Sequence, residues 1–487
     1  MSGAPTHVVV VGRDADLWLT ATAVRAALGP AGIKVTAIEL PTRLGPASAY
    51  ATLPAIESLH ARLGLEEPAL LRTTRGSFSL GYNVIAPGRT PFFLAHGAYG
   101  APIEGSDFFP FWLKARRFGL SAALEDFSPT AMAARHGRIL VPDQETETFG
   151  RTDYAYHLPA IAYAALLKSH ARRLGVEMHR AVGVAVDRES HSGAILAVKP
   201  DGGSPVSGDL FIDASGPDAV LLGGALGVAA EDWSAFFPFD RRLTARGKPF
   251  AAVPGYADAR LSQSSWTALY ASQAATYVVH AYRSSDGDDA ALAAATFASG
   301  RPLRDAAVTP IAPAARSEAW SGNVVAIGAS ACAFDPLFDL NLHAIELGIV
   351  HLLSLFPPGA TAIAERAEYN RLIRSHFERL RDFQAAIYFL TGASRSAPDS
   401  LAHKIDTFRA RGTIPPMEDE TFSPDQWRAL FVGLGLMPES WPPAIETVPP
   451  EKMKEGFRRI LGFVRTKVVE LPTHDHYLAE IGASGTE

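Results

Sequence analysis

Cysteine is nearly missing from this chain of 487 residues, which has Cys332 and no other. One thiol excludes a disulfide framework and any zinc site built on several cysteines. Cys332 itself sits in a small-residue apolar stretch and reads as a buried small hydrophobe. Long apolar runs are missing too. The longest, AVLLGGALGVAA at 219–230, is too short and too glycine-rich to span a bilayer, so no membrane partner is expected. A basic excess is also absent. With a net charge of −6 the chain lacks the clustered positive field that phosphate backbones require, and nucleic acid is set aside. The basic runs KARR (114–117) and HARR (170–173) read as solvated helix faces. The 15 histidines show no H-x-x-x-H or H-E-x-x-H spacing, so no metal is expected, and His157 and His343 read as satisfied polar residues. No basic-then-apolar leader precedes the first strand pattern, and a cytoplasmic protein is expected.

What is present is enough apolar residue, 47% of the chain, for two or three domain-sized units. HVVVVG (7–12) has the continuous apolar character of a buried strand, and a helical pattern follows over 15–28. GIKVTAIEL (32–40) is a second buried strand carrying Glu39 near its end. A strand, a glycine, a helix and a strand ending in an acid make a dinucleotide-binding βαβ unit, with the acid facing a ribose diol. The turn departs from the G-x-G-x-x-G pattern, whose three positions read Gly12, Asp14 and Leu17. PAIAYAALLKSHARRLG (159–175) is a helix ending at a glycine. VGVAVDRE and AILAVKP are strands, and SGDLFIDASGPDAVL (207–221) is a strand running into a small-residue turn and a helix. The stretch 321–357 repeats that theme, with Gly328 at its turn. Residues 236–282 read as antiparallel strands over a pocket, and the chain from about 360 is mostly helical. Ser215 in DASG lacks the G-x-S-x-G elbow, which argues against a hydrolase.

The pieces VVVVGRDADLW, VTAIEL, ATLPAIESLHARLGL, GSFSLG, FWLKARRFG, YHLPAIAYAALLKSHARRLGV, DLFIDASG, SSWTA, AWSGNVVAIGASACAFDPLF, RDFQAAIYF and VGLGLMP carry a resemblance from end to end. In order and spacing the chain resembles the flavin-dependent halogenases of the tryptophan halogenase family. The resemblance implies an α/β fold: a Rossmann-like FAD-binding domain of the flavin monooxygenase type, an antiparallel substrate-covering sheet and a helical C-terminal region. It places a discontinuous FAD-binding-like domain at 1–235 and 305–358 with inserted substrate elements at about 76–150, the sheet at 236–304 and the helical region at 359–487. It also implies a chemistry in which reduced FAD, oxygen and a halide give hypohalous acid, which a lysine directs onto an electron-rich ring.

Set against that chemistry, five places differ. Asp14 puts a carboxylate where a glycine lets the pyrophosphate approach, and Leu17 is expected to hold helix and strand apart. Asp14 is expected to N-cap its helix instead. Tyr50 stands in the flavin-side turn Ala49–Thr52, where it would fill space. Ser79 occupies the lysine position in GSFSLG, and a hydroxyl forms no haloamine. Of the W-x-W-x-I-P signature only Trp266 is kept, with Ala268 and Tyr270 among the residues that follow. The halide turn reads Asp335 to Asn341, with Phe338 as in phenol-type members, Asn341 for glycine and Asp339 for serine; Asp339 is expected to cap a helix starting near Leu342. "RDFQAAIYF" has Ile387 where the family often has histidine.

The resulting expectation is a catalytically degenerate homologue, a pseudoenzyme with no catalytic residue. Gly12, Glu39 and Gly328 would be residual FAD contacts, and Ser79, Trp266, Tyr270 and Phe338 a pocket for an aromatic ligand. A partner protein, such as an active halogenase-family enzyme, is the other expected occupant, and a homodimer one expected assembly. The alternative is an active FAD-dependent halogenase or monooxygenase acting on an indole or phenol through a rebuilt site.

Overall fold

The computed structural model describes residues 5–141, 153–359 and 363–484. Residues 142–150 of the expected insertion lie outside these. The chain forms two compact units. The first comprises residues 1–74, 158–235 and 310–381, and the second 75–157, 236–309 and 382–487.

The first unit is built on a six-stranded sheet in the order 320–321, 324–326, 210–214, 7–12, 34–39 and 177–180. All pairings are parallel except that of the outermost strand, Trp320–Ser321. Val8, Val9, Val10 and Val11 are fully buried, which explains the unbroken apolar run: a central parallel strand is covered on both faces. Helix Asp14–Leu28 leaves the first strand and packs against helices Ala160–Arg173 and Asn341–Ser354. Gly12 pairs with Ala214 so closely that a Cβ added to it would lie 2.3 Å from the Ala214 carbonyl oxygen. The DASG turn that follows Ala214 is tied by Asp213. Its buried carboxylate accepts from the amides of Leu221 and Leu222 and from the hydroxyls of Ser215 and Ser330. Ser215 is therefore a structural hydroxyl.

The second unit holds a seven-stranded sheet in the order 304–310, 241–247, 276–282, 265–271, 257–261, 81–85 and 92–95. Strand Ala257–Leu261 joins the antiparallel part to strand Gly81–Ile85 by a parallel pairing. Side chains alternate across the sheet. Leu243, Ala245, Leu269, Val278 and Tyr282 pack with Ala291 and Ala295 of helix Asp288–Ser299. Trp266, Ala268 and Tyr270 consequently face the other side, together with their register partners Leu261 and Ala259. Helices Asp399–Arg411, Pro424–Gly433, Pro450–Glu470 and His474–Glu480 complete the unit. The fold is the expected α/β architecture. No described helix is long and apolar enough to cross a membrane.

Candidate active site

In the first unit, the loop after the first strand departs from the expected arrangement. Asp14 does not cap its helix. Arg13 holds that position in extended backbone without a side-chain cap, and Asp14 has φ 54°, in the left-handed region that favours glycine. Its carboxylate is turned to the segment after the second strand, where it accepts from the Thr42 hydroxyl and the Arg43 amide. Arg13 and Arg43 both ion-pair with Asp218, so the loop is closed by side chains. Leu17 does not hold the helix off: it is fully buried, and the helix lies against the first two strands.

Glu39 stands beside Gly12 in register, where a ribose-binding acid belongs. Its two oxygens are both 2.6 Å from Lys168 Nζ, and Arg180 Nε is 3.1 Å from one of them. Gly328 has φ 63°, and a Cβ there would come within 2.5 Å of an Asp16 carboxylate oxygen. Asp16, a residue the sequence reading passed over, is recessed in the first turn of the helix beside Asp14 and accepts from the Ala329 amide. Burial pushes its carboxyl up to about 7, and the Asp14 charge adds to that. Tyr50 is nearly buried, edge-on to Tyr163 at 6.0 Å between ring centres. Burial raises its phenol, and so do the charges of Asp16, Asp14 and Asp339. Three carboxylates therefore act on one phenol.

The turn Asp335 to Asn341 contributes the third. Phe338 and Asp339 have φ 66° and 45°, two successive non-glycine residues in the left-handed region. Such residues cost on the order of 1–3 kcal/mol each and persist where their surroundings hold them. Asp339 is not the expected cap either, since the helix begins at Asn341 with Leu340 before it. The Asp339 carboxylate instead accepts from the Ala51 amide at 2.9 Å and from Asn341 Nδ2 at 2.7 Å. It thus takes one donor from the Ala49–Thr52 turn and one from its own turn. His343 is satisfied by Glu346 at 3.0 Å.

Ser79, Trp266 and Tyr270 belong to the second unit and Phe338 to the first. Ser79 is buried, and its hydroxyl points to the Gly81 carbonyl at 3.4 Å. Trp266 and Tyr270 are each 1% exposed, and the Trp266 indole N–H has no protein partner. The expectation for His157 is half right. Its Nδ1 lies 2.9 Å from the Ala271 carbonyl, which only accepts, so Nδ1 carries the proton. Its Nε2 is buried without a protein partner, and so is Nε2 of His96. Burial lowers both rings, His157 to about 4 and His96 to about 3, with His474 adding to the effect at His157 and His157 at His96. His157 lies over Tyr270 at 5.5 Å, and Tyr82 lies edge-on to His96 at 6.1 Å. No sequence signal separates such a histidine from a satisfied one. Among the described residues no cluster of three or more histidine, cysteine or acidic side chains is arranged to hold a metal.

The tryptophan halogenase family pattern matches residues 7–450. Tryptophan 6-halogenase SttH of Streptomyces toxytricini is 27% identical over 367 residues, covering 69% of this chain and 68% of that protein. Tryptophan 7-halogenase KtzQ of Kutzneria sp. (strain 744) is 24% identical across 97% of this chain and 98% of its own. Among solved structures, BrvH, a flavin-dependent halogenase from Brevundimonas sp. BAL3, superimposes with a TM-score of 0.92 at 29% identity, covering 98% of this chain and 99% of that one. Xcc4156, a flavin-dependent halogenase from Xanthomonas campestris, gives 0.93 at 26% identity, with 99% and 100% covered. Matched along most of its length and in its fold, the chain belongs to the tryptophan halogenase family.

Proposed function

We propose that this member has left flavin halogenation and acts by binding an aromatic ligand in its second unit. The observation that carries the reading is Asp14, which puts a carboxylate in the turn that opens the helix, where a dinucleotide presents its pyrophosphate, although its oxygens are turned to Thr42 and Arg43. Two unit charges 4 Å apart oppose each other by about 4 kcal/mol at the effective dielectric of a protein surface. Asp16 in the same turn adds to this, and Glu39 is already bound by Lys168 and Arg180. These residues do not fit FAD held in the family's manner. Ser79, a hydroxyl at the lysine position, supports loss of the halogen-directing step independently. The aromatic patch of Trp266, Tyr270 and Tyr82, with the unpartnered nitrogens of Trp266 and of His157 on a neighbouring strand, supports a ligand in the second unit.

A second reading, an active FAD enzyme with a rebuilt cradle, is favoured by Arg13. Its Nε is buried without a protein partner, and its guanidinium lies with that of Arg43 on Asp218. Two arginines released from that carboxylate would offset the charge of Asp14 and Asp16.

Titration with FAD, read by visible absorbance and by thermal shift, tests the choice. A ligand that binds the native state stabilises it by RT ln(1 + [L]/Kd), so binding at micromolar Kd shows plainly at millimolar FAD. The expected result is a colourless protein whose melting temperature FAD leaves unmoved but indole or phenol raises. A yellow, FAD-stabilised protein overturns the proposal in favour of the second reading.

A further inference from the structure

We propose that the first unit carries a ligand site of its own, a cleft between helices Glu67–Thr74 and Ala160–Arg173 that takes an aliphatic amino acid as its zwitterion. The inference stands apart from the aromatic-ligand reading, which concerns the second unit. The two helices pack on each other and leave a cleft of about 340 Å³ between them. Ligand clefts run from roughly 300 to 1,000 Å³, so it has room for a small molecule. Its walls follow from helical spacing. Glu66, Ala69, Leu70 and Thr73 fall at i, i+3, i+4 and i+7, which sets them on one face. Leu166, Ser169 and Arg173 do the same on the other helix. Leu65 and Leu70 are buried and form an apolar floor, while Glu66, Ser169 and Arg173 are exposed at the rim.

Arg173 is the anchor. His170 is buried, and its Nε2 lies 2.7 Å from the Leu63 carbonyl, which only accepts. Nε2 therefore carries the proton, and Nδ1 accepts from Arg173 Nη2 at 3.0 Å. The guanidinium is thus positioned before a ligand arrives, with N–H groups left over to hold a carboxylate by two parallel bonds. Ser169, one turn earlier on the same face, adds a hydroxyl donor. Glu66 lines the cleft from the other helix's side, and among the described residues neither Glu66 nor Arg173 forms an ion pair. A cation on one wall, an anion on the other and leucines between them call for a ligand of matching makeup. A fatty carboxylate satisfies Arg173 but is repelled by Glu66, and an alkyl amine meets the reverse. An aliphatic amino acid satisfies both charges and covers the leucines.

L-Leucine, titrated into the full chain by calorimetry, is the probe. 4-Methylpentanoate lacks only its ammonium, 3-methylbutylamine only its carboxylate, and glycine its side chain. Leucine is expected to bind, and each analogue roughly tenfold more weakly, because each gives up a charge-assisted contact or the apolar surface. Glu66→Gln is expected to erase the preference over 4-methylpentanoate, and Arg173→Gln the preference over 3-methylbutylamine. Both side chains are exposed, and the analogue series needs no variant, so the comparison stands even if one of them misfolds. Absence of leucine binding at millimolar concentration overturns the site, as does leucine binding that both variants leave unchanged. 4-Methylpentanoate or 3-methylbutylamine binding as tightly as leucine overturns the zwitterion assignment, and so does glycine binding equally well.

Discussion

Acidification should cost this protein much of its stability, through histidines that fold neutral. His60, His157 and His474 are between 1% and 3% exposed, and burial lowers all three from 6.5 to about 4. The folded state therefore binds fewer protons than the unfolded chain between about pH 6.5 and 4. Stability is fully present above 6.5 and is lost as pH falls through that window. For one such group the loss at pH 5 is about 2 kcal/mol, and for three about 6 kcal/mol as an upper bound. A native protein is stable by roughly 5–15 kcal/mol in total, so the loss is a large share of it. Thermal unfolding at pH 7.5 and pH 5 measures the effect, and His60→Phe isolates one part of it. His60 Nε2 lies 2.7 Å from the Tyr163 hydroxyl, so the substitution destabilises at both pH values. The informative quantity is the difference: the variant should lose about 2 kcal/mol less than the parent on acidification, a few degrees in melting temperature. A parent whose melting temperature is the same at both pH values, or a variant that keeps the full acid loss, would refute the reasoning.

Asp16 gives the opposite sign. Its carboxyl is raised to about 7, so the folded state binds more protons than the unfolded chain between about pH 4 and 7, and stability falls as pH rises through that range. Asp16→Asn keeps an acceptor for the Ala329 amide and carries no charge, so it should raise the melting temperature at pH 8 more than at pH 5; equal shifts would contradict the assignment. Gly12→Ala places a methyl group against the Ala214 carbonyl and should cost about 1–3 kcal/mol in chemical denaturation whether or not FAD is added. A variant as stable as its parent would mean that the glycine answers to a ligand and not to the neighbouring strand.

Much of the scaffold was legible in the residues. The valine run, the glycine after it and the acid at the end of the next strand all stand where a βαβ unit puts them, because a strand covered on both faces must be apolar throughout. The alternation over 236–282 likewise marks antiparallel strands. The site was legible only as a set of departures. Asp14 and Asp339 were each read as helix caps, since a carboxylate ahead of a helix most simply takes its own helix's amides. Both instead take donors from elsewhere in the chain, Asp14 from residues 42 and 43 and Asp339 from residue 51.

By itself, then, the sequence determined the family and the order of strands and helices. Those follow from residue type and spacing along one dimension. Tertiary structure alone decided where each polar atom spends its hydrogen bonds. It closed the loop with Asp218, occupied Glu39 with Lys168, and left one nitrogen of His157 unmatched while matching the other. Partnership across a hundred or more residues depends on which backbones the fold brings side by side, and no local pattern encodes it.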